Sequence, residues 1–575
     1  MKIKSVTPSL EGFSLALVLV FTGVLFLLLS GVLAWMTTNG NLTQRYNEYY
    51  DSVAAAEAAT EKVVASMASD FQSSGVSGVD GNLANYGASI PTPAEVNDWA
   101  NYQFNDPSVG PNATYVTRLT SWQYTNLNWK YTGFKAPNST YRIISNARNT
   151  ASRYGITSAV KQEIQIASIP LFEFEVFYAL DMEICPGAGG LTFNGRVHDN
   201  GTIYCQPSSP NAVTFLDHVT AAQKILPTAS PNDSNVRTLG TIVYQAEHDW
   251  NVSSLNLPLG ISNNPTNLHA LIDIPPGSES ANSLLGLQRF YNKADLIILV
   301  SNATVIATSG AYNNFSTTVC PPWSSISSFV QTNITSYDKR EGKSIQATQI
   351  DLQQFNTAYG GLTTQLGRPV KILYVADLRS TDSTTLSGVK LINGQTLPAN
   401  GLTIATYNPL YVKGHYNAPA GALGTANTAG TAPAALIADA ITVLSVVWND
   451  PDANKRLNTP ARVASDTTIN AAVLGGIVPS ANGNYSGGVE NFLRLLEDWT
   501  STSRTLTFNG SMVALFPSQI ATAYWANNND ISNPPRRAYA FDTNFKDNAK
   551  LPPGTPELRT TIRAAWNITQ ANSTQ

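Results

Sequence analysis

The side chains whose types and spacing could do chemistry begin with four carboxylates in one short run, Glu173, Glu175, Asp181 and Glu183. Paired acids are the machinery of glycoside hydrolysis, one protonating the leaving oxygen while the other activates water or attacks the sugar. The residues between them argue otherwise. From Phe172 every even position is apolar, through Phe174, Val176, Tyr178, Leu180, Met182 and Ile184. Sustained period-two alternation predicts a strand with one buried and one solvated face, which puts the acids on the wet side. His198, His218, His248, His269 and His415 have no partner at metal-ligand spacing and read as surface or turn histidines. Cys185 and Cys205 flank a turn-rich segment and are the candidate disulfide in an oxidising compartment, with Cys320 then buried and free. Gly187-Ala188-Gly189-Gly190 reads as a turn, and Lys339-Arg340-Glu341-Gly342-Lys343, the densest charge island, as a solvated turn. No G-x-S-x-G, Walker or dinucleotide signature occurs. The expectation is a chain with no catalytic residue, no cofactor and no metal, hence not an enzyme.

The elements around these residues read as mainly β, in an α+β chain. Strand patterns run through 114–168, with Tyr141–Asn146 and Ala159–Ala167 as a candidate antiparallel pair. Beyond Pro186 short strands alternate with asparagine-glycine corners at Asn194-Gly195, Asn200-Gly201, Asn393-Gly394 and Asn400-Gly401, and LTFNG occurs at both 191–195 and 506–510. Asn and Gly tolerate positive φ, so such pairs make tight turns. Their short steps favour a β-solenoid over 169–430. A small helical insertion is expected over 431–500, where Pro433 opens an all-apolar run and Val489–Trp499 is amphipathic. Residues 501–575 then return as strand and tail.

All of this hangs from an apolar N-terminus. The segment from Phe13 to Met36 carries no charge, and as a helix it is long enough for a ~30 Å hydrocarbon core. Lys2 and Lys4 precede it, so the positive-inside bias keeps the N-terminus cytoplasmic and exports the rest. From Tyr49, positions Val53, Ala56, Thr60, Val63 and Met67 recur every three or four residues, which predicts that one helix spans 13–72. The Gly, Ser and Asn of residues 73–85 predict a flexible exit, opening a strand-rich segment over 73–168. Charged residues are 13% of the chain, the hydrophobic fraction is 43% and the net charge is −4. The first two are those of a chain with a sizeable core, and the third argues against nucleic acid as a partner.

A short leader ending in Gly12, followed by Phe13 and an unbroken apolar run, resembles the prepilin leader of type IV pilins and type II secretion pseudopilins. The resemblance implies cleavage between Gly12 and Phe13 and methylation of the new Phe13 amine, leaving residues 1–12 as leader. Two positions depart from the pattern: Glu11 stands before the glycine instead of a basic residue, and Leu17 stands at the fifth mature position, where major pilins carry Glu. Lack of that Glu is typical of X-type minor pilins and K-type pseudopilins, which SVAAAEAATEKV also resembles. Residues 400–417 and the stretch FDTNFKDNAKLPPGTPELR resemble large exported proteins with pilin-like N-termini from bacteria of the planctomycete–verrucomicrobial kind, and that similarity spans most of 169–565. Together they imply an inner-membrane subunit, its bulk periplasmic or at the cell surface, partnered by the membrane and by other pilin-like subunits in a structural or adhesive role. The alternative is a membrane-tethered β-solenoid enzyme or binding protein for surface polysaccharide.

Overall fold

The computed structural model describes residues 11–574 except 129–130, 188, 236, 311–318, 458, 501–502 and 526–529, with side chains from Phe13 onward. Residues 1–10 of the expected leader, Lys2 and Lys4 included, lie outside the described residues, as does Ala188. The chain forms two compact units, one of residues 1–122, 139–166 and 561–575, the other of 123–138 and 167–560.

The first unit is built on a helix that runs Glu11–Asn82. Its apolar half is exposed, and Thr22, Ser30 and Thr37 return their hydroxyls to the carbonyls of Val18, Phe26 and Leu33 at 2.6–2.8 Å, so these three hydroxyls are satisfied within the helix. The second half is amphipathic as expected: Val53, Ala56, Val63, Met67 and Phe71 are buried with Tyr141, Ile143, Ile164 and Val160 of the sheet. That sheet has the order Gly110–Pro111, Tyr102–Asp106, Lys135–Asn149, Thr157–Pro170, Glu557–Thr569, and Tyr115–Arg118 pairs antiparallel with Lys135–Asn149. The expected exit at 73–85 is instead a kink and a resumed helix. Gly75 alone leaves helical geometry, with φ 64° and ψ −156°, a conformation natural only to glycine. Asp70 fastens the resumed segment by accepting from Asn82 Nδ2 at 2.9 Å and Tyr86 Oη at 2.7 Å. Glu48, a charged residue of this helix half, is buried and accepts from the Ile156 amide at 2.8 Å.

The second unit is β-rich, and most of its strands pair in parallel. Phe174–Tyr178, Met182–Ile184 and Leu191–Phe193 pair respectively with Arg196–Asp199, Ile203–Cys205 and Ala212–Phe215. Those pair in turn with Val219–Ala221, Ile225–Leu226 and Thr241–Tyr244. Phe193, Phe215 and Tyr244 stack through the layers at 5.2 Å between rings. The register stops after His248–Trp250. Short helices follow, then an antiparallel pair, Leu296–Val300 with Val305–Thr308, and another, Val330–Asp338 with Lys343–Asp351.

The β-solenoid expected over 169–430 is therefore not the fold. In a solenoid each coil stacks on the one before it. Here Thr505–Pro517, late in the chain, lies between Phe174–Tyr178 and Thr467–Ile477 in a 12-stranded sheet, with a separate six-stranded sheet beside the later strands. The helical insertion is also corrected. Ala434–Ala438 and Ile441–Leu444 are strands buried on both faces, and Val489–Trp499 holds one short turn and the strand Arg494–Leu495. A strand buried on both faces reads as a continuous apolar run, which periodicity cannot separate from a buried helix. A longer helix occurs elsewhere, at Leu352–Leu366; it is capped by Asp351, which accepts from the amides of Gln353 and Gln354, and ends at Gly367 with φ 69°.

Candidate functional site

The acid run is buried, not solvated. Leu171–Glu173 form a tight turn, Phe174–Tyr178 a strand with both faces covered, and only Asp181 is exposed. Burial pushes the carboxyls of Glu173 and Glu175 up to about 8 and that of Glu183 up to about 7. They do not share partners. Glu173 accepts from Tyr124 Oη at 3.3 Å and Glu175 from the Gly195 amide at 2.5 Å, while Glu183 sits beside Ser480 and Ser486.

Two of the five histidines are likewise interior. His198 Nδ1 lies 2.8 Å from Thr220 Oγ1, its ring stacks on Phe177, and burial pushes its imidazole down to about 4. His269 lies with Nδ1 2.9 Å from Asp273 and Nε2 3.3 Å from Asp439. Burial opposes its charge, but the two carboxylates outweigh burial and hold it up at about 9. Asp439 also accepts from the amides of Gln519 and Ala521 at 2.5 and 2.8 Å. His218 and His415 are half-buried and His248 is exposed. Among the described residues no group of three His, Cys, Asp or Glu is placed to hold a metal ion. Cys185 and Cys205 are buried free thiols, and Cys320 is exposed rather than buried. Burial pushes the Cys185 thiol up to about 12, which leaves it a poor nucleophile at neutral pH. At the N-terminus Gly12 lies in the long helix, and Phe13 and Leu17 are 69% and 48% exposed.

What the residue types alone did not reveal is a cavity of about 370 Å³ in the second unit. Arg237, Arg340, Arg494, Arg537, Tyr485 and Trp525 line it, with Glu490 among the polar groups of its wall. Two of the arginines are neutralised from behind, Arg494 by Glu341 at 2.8 Å and Arg237 by Asp233. The other two make no ion pair within 4 Å among the described residues, although the Glu341 and Asp338 carboxylates act on Arg340 and the Glu490 carboxylate on Arg537 from farther off. Arg340 Nε donates to the Ala523 carbonyl at 3.1 Å, and Arg537 donates to the Glu490 carbonyl and Asn491 Oδ1 at 2.6 and 2.7 Å. Burial and the neighbouring Arg494 guanidinium pull Arg340 down to about 9. Burial raises the Glu490 carboxyl, which accepts from Tyr485 Oη at 2.8 Å.

Local backbone shapes this wall. Gly487 and Gly488 have φ of 97° and 65°, and a side chain at Gly488 would collide with the Tyr485 hydroxyl and the Glu490 carboxylate. The turn between Val330–Asp338 and Lys343–Asp351 delivers Arg340, with Asp338 Oδ1 accepting from the amides of Arg340 and Glu341 at 2.8 and 3.0 Å. This is the charge island expected to be a solvated turn. It is a turn, but Lys339, Arg340 and Glu341 are all half-buried. Three adjacent charges were the one sequence signal of the cavity. Arg237, Arg537, Tyr485 and Trp525 gave none, being scattered over 300 positions.

No family model matches this sequence, and no curated protein matches it. Among solved structures, the competence-associated pilin ComZ from Thermus thermophilus matches over 79% of this chain and 87% of its own, at 8% identity and a TM-score of 0.30. A similarity that loose carries no argument.

Proposed function

We propose that the chain is a membrane-anchored, pilin-like subunit that displays its β-rich unit outside the cytoplasm, as a minor or assembly component of a type IV pilus-like or type II secretion-like filament. The observation that carries the reading is the division of the Glu11–Asn82 helix: Phe13–Met36 is apolar and exposed, whereas the stretch from Val53 to Phe71 is buried against an antiparallel sheet. One helix thus serves a hydrocarbon environment with one half and a folded unit with the other. It is the one helix among the described residues long and apolar enough to cross a membrane. The Gly12-Phe13 junction supports processing there, and Leu17 in place of an acid favours a tip or initiating position over the filament shaft. In this reading the protein is structural, not an enzyme, and its partners are the inner membrane and other pilin-like subunits. Mass spectrometry of the protein from its native membrane tests it. A mature chain starting at N-methylated Phe13 is the expected result; a chain retaining Met1 through Gly12 overturns the pilin-like assignment and leaves a plain anchor.

A further inference from the structure

We propose that the arginine-lined cavity of the second unit binds an acidic sugar, a pyranose carrying a carboxylate or sulfate, with the oxyanion held by Arg340 and Arg537 and the ring lying against Trp525. The inference does not rest on the helix or on the pilin-like reading.

It begins from charge. Neither Arg340 nor Arg537 has a carboxylate within 4 Å among the described residues, although both line the same cavity. Arginine keeps its charge even when half-buried. A guanidinium that lines a cavity without a carboxylate ion pair retains donors that a planar oxyanion fits in the two-pronged manner typical of arginine. The nearby Arg494 guanidinium disfavours the Arg340 charge, and an anion would relieve that repulsion. The carboxylates close by make their hydrogen bonds and ion pairs to other groups, Glu341 to Arg494 and the Ala523 amide, Asp233 to Arg237, and Glu490 to Tyr485 and the Cys185 amide, so Glu341 and Glu490 reach Arg340 and Arg537 only through longer-range attraction.

The remainder of the wall selects the body of the ligand. Trp525 meets Tyr485 edge-on at 5.4 Å with an interplanar angle of 81°, which leaves an aromatic surface for the C–H face of a ring. Trp525 keeps this position because Gly487 has no side chain; a Cβ there would lie 2.9 Å from the indole. Ser208, Asn235 and Ser532 also line it, residues whose hydroxyl and amide groups are of the kind that pair with sugar hydroxyls. A volume of about 370 Å³ falls within the range of small-molecule sites. An inorganic anion would use the arginines and leave the aromatic wall without a partner.

Titration calorimetry on the detergent-solubilised full chain tests this, with glucuronate, glucose 6-sulfate, glucose and inorganic sulfate as probes at fixed ionic strength. The expected result is saturable binding of the two acidic sugars and at least tenfold weaker binding of glucose and of inorganic sulfate. Arg340→Gln and Arg537→Gln should each weaken glucuronate at least tenfold, and Trp525→Leu at least threefold, with thermal midpoints held within a few degrees of wild type. Because Arg340 makes one backbone hydrogen bond, Arg340→Lys serves as the folded control and should recover part of the affinity. Three results overturn the proposal: no heat with either acidic sugar, equal binding of glucose and glucuronate, or unchanged glucuronate affinity in both glutamine variants. Sulfate bound as tightly as the acidic sugars overturns the sugar assignment.

Discussion

The first half of the long helix and the arginine-lined cavity break the ordinary partition of side chains in opposite senses. Between Phe13 and Met36 the chain exposes what water rejects: Phe13, Leu15, Leu25, Leu27 and Trp35 are each more than 60% exposed. Around Arg340 and Arg494 it buries what water prefers. Apolar exposure is stable only in another apolar medium. Buried charge is stable only where partners replace the lost water. Both regions therefore define their surroundings, one by hydropathy and the other by hydrogen-bond geometry. The first kind of information lies along consecutive residues, the second in residues far apart in the chain.

The largest effect is expected from breaking the apolar half. Leu25→Arg with Leu28→Arg places two charges near a bilayer centre at a cost of about 2.5–3.5 kcal/mol each, and should move the protein from the carbonate-resistant membrane fraction to the soluble or degraded one. Retention in the membrane would mean that this half is not the anchor. Next is a buried charge network in which Asp439 is compensated by amides and by His269. Asp439→Ala removes the acceptor of the Gln519 and Ala521 amides and one partner of His269, and should lower the unfolding free energy by roughly 3–5 kcal/mol, as expected for breaking a buried pair. A denaturant midpoint unchanged from wild type would deny that compensation.

A smaller effect with a definite sign comes from Glu175. Its carboxyl is raised by burial from an ordinary 4.5 to about 8, so the folded state favours the protonated form. Below about pH 4.5 the group is protonated in both states and costs nothing. As pH rises from 4.5 toward 8 the unfolded chain ionises first, and stability falls through that window. Glu175→Gln should match wild type near pH 4.5 and exceed it at pH 8 by roughly 2–4 kcal/mol; the opposite ordering in a pH-resolved melting series would place the carboxylate in a solvated site after all. His269, held at about 9 by its two carboxylates, stabilises the fold at neutral pH and loses that contribution as pH rises through 9. The smallest change lies outside both regions. Asp351→Ala uncaps the Leu352–Leu366 helix and should cost about 1 kcal/mol, with no effect on membrane retention or on sugar binding.

Legibility followed the same division. The spine was readable because Val53, Ala56, Val63 and Met67 obey helical spacing within a single element, and only its continuation past Gly75 was missed. The Asp351 cap and Gly367 stop were present in the sequence for a helix that strand-like neighbours obscured. Ala434–Leu444 misled because a strand covered on both sides has no periodicity to show. The Glu173–Glu183 run misled in the reverse way: its alternation is genuine, but neighbouring strands and loops cover the second face as well. Asn509-Gly510 repeats the corner motif of Asn194-Gly195 yet lies inside the strand Thr505–Pro517, where Asn509 Nδ2 donates to Asn470 Oδ1 at 2.7 Å and Gly510 lets the Ala471 carbonyl approach. The cavity was not legible beyond Arg340, since its lining comes from strands and turns that meet only through sheet order.

The sequence by itself determined the uncharged apolar stretch Phe13–Met36 and the amphipathic spine, because each depends on side-chain type and spacing within one element. Only the tertiary structure decided which strands became neighbours, which acids lost their water, and which arginines came to share a cavity. Those outcomes depend on long-range pairing, such as Met512 of the late strand beside Val176 of the early one, and no local pattern encodes a partner more than 300 residues away.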